Sequence, residues 1–448
     1  MKKVVSILLA LAMVFTMVFA LASCGGKGKE DESSTEAGSK AASGANGQVY
    51  YLNFKPEADK AWQKIAADYT AQTGVPVKVV TAASGEYEST LQAEMDKDAA
   101  PTMFNIGNQA GVSTWDEYAY DLKDTKFAKE LSTDDFNLYD DAGKLVSVGY
   151  CYETFGIIVN KALLKKAGHT VDEIKDFDSL KKVADDIHAN ASTLGFDAFT
   201  SSGLADSSSW RFSGHLANMP LFYEFRDDNV KSEPATIKGT YLDNYKKIWD
   251  LYTTDTATTG AAVASATGDQ AEAEFGKGQA AFYQNGSWEF SNLTGTYKMN
   301  ADDLQMIPIY CGVKGEEKAG LCSGTENCWA VNANASEEDI QATLDFMYWM
   351  VTSEEGTKMM ADQFGPIPFK SAKTPENVFF QDAQKLMDAG NYTVTWAFNY
   401  TPNVNTWRAG VVDALTKYTK SGSDSDWNAV KTAFVDGWAT QYQAEHAK

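Results

Sequence analysis

From Gln48 to Ile106 the chain switches repeatedly between two kinds of periodicity, and this alternation restricts its fold more than any other feature. Gln48–Phe54 is an aromatic-rich strand stretch closed by Lys55-Pro56. Trp62, Ile65, Ala66 and Tyr69 then recur at helical spacing, and Thr73-Gly74 ends the run. Val75–Val80 reads as a second strand. Tyr87, Leu91 and Met95 mark one face of a second helix, and Pro101–Ile106 is a third strand. This order predicts a parallel sheet with covering helices, because parallel neighbours need a long crossover. Ligands of such sheets bind beyond the carboxyl ends of the strands. The loops Phe54–Asp59, Ala83–Glu86 and Gly107–Val112 are therefore the first places to look. Further helices are expected over Phe177–Asn190, Tyr241–Tyr252 and Ser336–Thr352, the last opened by the capping signal Ser336-Glu-Glu-Asp339.

A length of 448 residues suggests two or three domains, and 44% apolar residues can supply their cores. The formal net charge of −22 disfavours nucleic-acid binding, since phosphate backbones would be repelled. The amino terminus carries its own information. Lys2 and Lys3 precede an apolar run from Val4 to Ala22, and Leu21-Ala22-Ser23-Cys24 resembles a bacterial lipobox. The resemblance implies a signal peptide over residues 1–23, cleavage before Cys24 and lipidation of that cysteine. Residues 24–47 are rich in Gly, Ser, Ala, Lys and Glu, the composition of a flexible tether. The expected location is the extracytoplasmic face of the cell membrane, held by a lipid anchor. Cys151, Cys311, Cys322 and Cys328 remain. They contain no C-x-x-C spacing and the four histidines are scattered, so structural thiols or one local bridge are expected and no metal site. Their pairing is left open.

Five blocks, taken in order, resemble the extracellular solute-binding proteins of bacterial ABC importers, specifically the maltose-binding-like family 1 carbohydrate-binding group. They are Thr73-Gly74-Val75-Pro76-Val77, Ala100–Phe104, Gly156–Gly168 with Asn160-Lys161, Phe275–Trp288, and Phe346–Phe369 with Gly365-Pro366-Ile367-Pro368. Thr102 and Val159 depart from that pattern, where Asp and Tyr are usual. The resemblance implies an α/β, two-lobed periplasmic-binding-protein-like fold of type II, with discontinuous lobes joined by a hinge. It puts lobe 1 at 48–153 plus 309–365, and lobe 2 at 154–308 plus 366–448. It also implies an oligosaccharide ligand, an ABC permease whose transmembrane subunits receive it, and a monomer without cofactor.

A sugar presents apolar C–H faces and a fringe of hydroxyls. Aromatic planes and carboxylates, amides or arginines are the matching side chains. Trp288 follows Asn285-Gly286-Ser287 where the resemblance implies a stacking residue, with Glu289 beside it. Glu153 falls near the implied first hinge. Lys55 and Glu57 lie on the first strand's exit loop, and Asn108 and Gln109 follow the third strand. Asp206 and Trp210 share a hydroxyl-rich loop. Trp396, Trp407 and Arg408 occupy a region from which the family presents aromatic contacts. One of Trp396 and Trp407 is expected in the core, as are Trp62, Trp249, Trp349 and Trp438.

Other functions make different demands. A glycoside hydrolase needs two acids at a set distance, and among 61 acidic residues no stretch singles out a pair. G-x-S-x-G, P-loop, H-E-x-x-H and G-x-G-x-x-G motifs are absent from the sequence. The chain is read as a binding protein, not an enzyme. A surface lectin, and the same fold with a peptide or polyamine cargo, stand as alternatives.

Overall fold

The structure, a computed structural model, describes residues 47–83 and 85–447. The signal peptide, Cys24 and nearly all of the tether lie outside the described residues. Among the described residues no helix is long and apolar enough to cross a membrane.

The opening alternation folds into strands β1 (Val49–Asn53), β2 (Val77–Thr81) and β3 (Met103–Asn105). β1 pairs in parallel with both others. The crossover helices Asp59–Thr73 and Tyr87–Met95 bury the faces that the spacing marks, Trp62, Ile65, Ala66 and Tyr69 on the first and Leu91 on the second. The sheet is mixed, a departure from the all-parallel expectation. β4 (Asn137–Tyr139), β5 (Leu145–Gly149) and β11 (Cys328–Val331) complete it by antiparallel pairing, in the order β2-β1-β3-β11-β5-β4. β11 arrives from far along the chain, which no local pattern announces.

A second sheet has the order β12-β10-β6-β8-β7, with β9 also paired to β6. Its strands are β6 (Glu153–Asn160), β7 (Asp197–Phe199), β8 (Ala280–Gly286), β9 (Leu304–Ile307), β10 (Ala319–Gly324) and β12 (Tyr392–Thr395). The two sheets, each with its own core, are the two lobes.

The chain passes between them three times. The first passage runs from Gly149 to Glu153. The second differs from expectation. Residues 309–324, expected in lobe 1, stay in lobe 2, because β10 pairs with β6 and Ile309, Tyr310, Val313 and Cys322 pack into that core. The passage is made by Thr325–Asn327, between β10 and β11. The third is also later than expected. Ile367 and Phe369 pack in the first core, and the Pro366 and Pro368 carbonyls accept from the Tyr152 and Ser132 amides, so residues 366–369 belong to lobe 1.

The four cysteines are buried free thiols. Trp62, Trp249 and Trp438 are fully buried, whereas Trp349 is half-buried and donates to Gln72.

Candidate functional site

At the carboxyl end of β1, the buried Asn53 shapes the exit loop. Its amide donates to the Lys55 carbonyl (2.7 Å) and the Thr81 hydroxyl (3.1 Å), and its oxygen accepts the Lys55 N–H. The turn directs Lys55 towards the passages between the lobes. There Lys55 Nζ donates to Glu153 Oε1 at 2.5 Å, and Glu153 Oε2 accepts the Asn327 amide at 2.8 Å. A lysine of lobe 1 thus grips an acid on one passage, which an amide on another holds in place. Burial alone would lower the Lys55 pKa. The attraction of Glu153, then of Glu57 at 3.9 Å, outweighs it and raises the group to about 12.

Across from this cluster β8 ends at Gly286, and a short 3₁₀ turn, Ser287–Glu289, delivers Trp288 and Glu289. The Trp288 ring lies against Gly286, where a Cβ would stand only 2.2 Å from it. Lys55 Nζ is 5.8 Å from the centre of the ring, within cation–π range. Glu289 Oε1 accepts the Asn285 amide at 2.9 Å, while Oε2 is buried with no hydrogen-bond partner among the described residues. Burial, then repulsion from Glu272, raises this carboxyl far above the usual carboxylate range. A cavity of about 500 Å³ separates the two groups, walled by Lys55, Glu57, Glu153, Glu272, Trp288 and Glu289, with Phe364 and Phe380.

Aromatic rings continue from Trp288 along lobe 2. His215 is 5.2 Å from Trp288 and stacks on Phe155 at 4.7 Å; Phe155 is 5.6 Å from Trp396, which stacks on Phe398. Burial, then the positive charges of Arg408, Arg211 and Lys55, pushes His215 down to about 3 and keeps it neutral. His215 stands on a π-helical stretch, Arg211–Leu216, an uncommon geometry that recurs at functional sites. Trp210 precedes it, and the Arg408 guanidinium covers one face of Trp210 at 3.4 Å from the ring centre. Arg408 donates to the Ser213 and Ser209 hydroxyls, and burial draws it down to about 9.

Of the residues singled out in the sequence, the cavity brings together Lys55, Glu57, Glu153, Trp288 and Glu289. Trp210 and Arg408 cover one another beside the π-helical stretch, and Trp396 is buried in the second core at 7% exposure; none of the three lines the cavity. The remaining four have other surroundings. Asn108 caps the helix Gln109–Trp115, its oxygen accepting from Gly111, and the exposed Gln109 donates to the Tyr139 carbonyl. Asp206 is exposed at the start of a 3₁₀ turn. Trp407 is a core residue, 2% exposed, its indole donating to the Phe434 carbonyl. Sequence reasoning missed Asn327, His215, Glu272 and Glu326. Glu326 is on the second passage, and burial pushes its carboxyl up to about 7 against the attraction of Lys55. Nothing local distinguishes these four residues. The one available clue was Gly214, whose missing side chain makes room for the Trp210 ring.

A model of one protein family, described as bacterial extracellular solute-binding protein, matches residues 64–388. No curated protein matches the chain. Several solved structures do. RafE in complex with raffinose has a TM-score of 0.67 at 18% identity, over 86% of this chain and 98% of that one; the apo form of RafE from Streptococcus pneumoniae also matches. The GacH receptor of Streptomyces glaucescens, solved unliganded and with acarbose, has a TM-score of 0.64 at 19% identity, over 90% and 98% of the two chains. A family 1 extracellular solute-binding protein from Bifidobacterium longum subsp. infantis has a TM-score of 0.62 at 20% identity, over 88% and 98%. These likenesses agree with the two-lobed fold seen here. With the family match spanning most of the chain and a cavity between two lobes that the backbone joins three times, the chain belongs to the bacterial extracellular solute-binding proteins.

Proposed function

We propose that the protein captures an oligosaccharide between its lobes and delivers it to the transmembrane subunits of an ABC import permease. The observation that carries this reading is the partly buried Trp288, held against Gly286 at the wall of a cavity that also presents carboxylates. A ring plane suits the C–H face of a sugar, and carboxylates accept its hydroxyls. The cavity, about 500 Å³ with Phe364 and Phe380 also in its wall, supports a cargo of more than one ring. Raffinose and acarbose, bound by the similar RafE and GacH, are ligands of that kind. Hinge closure around the ligand follows from the three passages, since a ligand favours the state in which it makes more contacts. The proposed anchor is a lipid on Cys24, which keeps the protein at the outer face of the membrane where its permease opens. Binding without turnover is the proposed activity.

Trp288→Ala should weaken oligosaccharide binding by about 1–3 kcal/mol through lost apolar cover and stacking. Titration calorimetry on the folded variant tests this, and unchanged affinity would remove Trp288 from the site.

A further inference from the structure

Six carboxylates line the interlobe cavity, against two lysines. Three of the acids have partners of their own. Glu153 is held by Lys55 and Asn327, Asp59 accepts the Thr81 hydroxyl, and Asp362 pairs with Lys358. Glu57, Glu272 and Glu289 remain. Of the lysines, Lys55 is already bonded to Glu153 and Lys60 is exposed. Glu57 meets Lys55 only at 3.9 Å, and its side chain is about half exposed, 52%. Glu272 accepts the Asn292 amide at 2.7 Å. Neither Glu272 nor Glu289 has an ion-pair partner among the described residues. Arg211 attracts Glu289 but spends its donors on the Gln284 and Ser201 carbonyls and the Thr200 hydroxyl.

Glu289 therefore keeps one oxygen sealed from water with no donor to it, beside a second acid that repels its ionised form and shares the proton of its neutral one. The same wall carries the Trp288 ring, and Phe380 also lines the cavity. Carboxylates supply strong acceptors for a charged donor, and aromatic faces attract a positive charge through their quadrupole. The hydroxyls of a neutral glycan could fill the acceptors but bring no positive charge to replace the proton that the two acids share.

We propose that the Glu272–Glu289–Trp288 corner of the cavity binds a protonated amine, so that the cargo is an amine-bearing oligosaccharide. The inference rests on the sugar reading above and narrows it.

The test compares glucosamine oligomers, their N-acetylated counterparts and neutral glucose oligomers of equal length, with spermidine as a sugar-free amine, by calorimetry on the purified protein at one ionic strength. The amine-bearing oligomer should bind about tenfold or more tightly than either neutral series, the scale of one charge-assisted contact. Glu289→Gln and, separately, Glu272→Gln should each erase that preference. Circular dichroism and thermal melting would check that both variants fold. If either neutral series binds the unaltered protein as tightly as the amine-bearing one, the amine subsite is wrong and the sugar reading survives. Persistence of the preference in both variants would also overturn it. If spermidine binds and no sugar does, the sugar reading falls while the amine corner stands.

Discussion

Trp288, Trp210 and Trp396 share one packing device, in that each ring rests on a glycine. A Cβ added at Gly286, Gly214 or Gly324 would approach the respective ring to 2.2, 2.6 or 2.5 Å. At such distances a methyl group cannot be absorbed without moving the ring. Gly286→Ala should therefore turn Trp288 away and weaken sugar binding about as much as Trp288→Ala does, in the order of tenfold. Calorimetry beside an intact near-ultraviolet spectrum measures this, and full affinity would show the ring free to adapt. Trp288 was singled out in the sequence by the resemblance of its block to the family, but its seat on Gly286 was not. Gly324 and Trp396 are brought together only by the second sheet. His215 offers a pH test. Its folded pKa of about 3 lies below the ordinary 6.5, so between these values the unfolded chain binds the proton that the folded one refuses. Stability must then fall as pH falls through that window. His215→Gln should flatten this acid limb in urea titrations from pH 6.5 to 4. An unchanged slope would mean that His215 is protonated in the native state.

At the scale of elements, local signals served well where the partner lies within one turn. Ser336 caps the helix Glu337–Thr352 by accepting from Asp339, and Asp176 caps Phe177–Ala189 through a capping box with Ser179. The amino terminus of that second helix also depends on a distant acid. Glu316 is 3% exposed. One of its oxygens accepts the Phe177 N–H at 2.7 Å. The other accepts from Cys311 (2.7 Å), Gly312 (2.8 Å) and Val313 (3.2 Å). One carboxylate thus fastens the helix to the loop after β9 and satisfies four backbone donors. Glu316→Ala would strand these donors in the interior, and a loss of about 3 kcal/mol or more is expected from chemical denaturation. A loss below about 1 kcal/mol would mean that water replaces the carboxylate. No periodicity points to this residue, because its partners are set by the return of the chain and not by neighbours in sequence. The π-helical stretch carrying His215 was hidden for a related reason. It packs against Trp210 and Phe155, contacts to which helical spacing is blind.

At the scale of the whole molecule, the Lys55–Glu153–Asn327 cluster joins the end of β1 to two passages between the lobes. A ligand that bridges the cavity binds only the folded chain. At a hundredfold excess over Kd it should raise the unfolding free energy by about 2.7 kcal/mol. Hinge closure predicts that the radius of gyration from X-ray scattering decreases in the same titration. A stabilised protein of unchanged radius would mean capture without closure. The sequence by itself determined the α/β class, the strands and crossover helices of residues 48–106, and the cap at Ser336. All of these rest on periodicity or on residues a few positions apart. Only the tertiary structure decided that β11 and β5 make the first sheet mixed, that residues 309–324 stay in the second lobe, and that Trp407 belongs to the core. It alone set Glu272 against Glu289 and His215 among three cations. Those outcomes depend on strand pairing and burial between distant segments, which become favourable only once the whole chain has closed on itself.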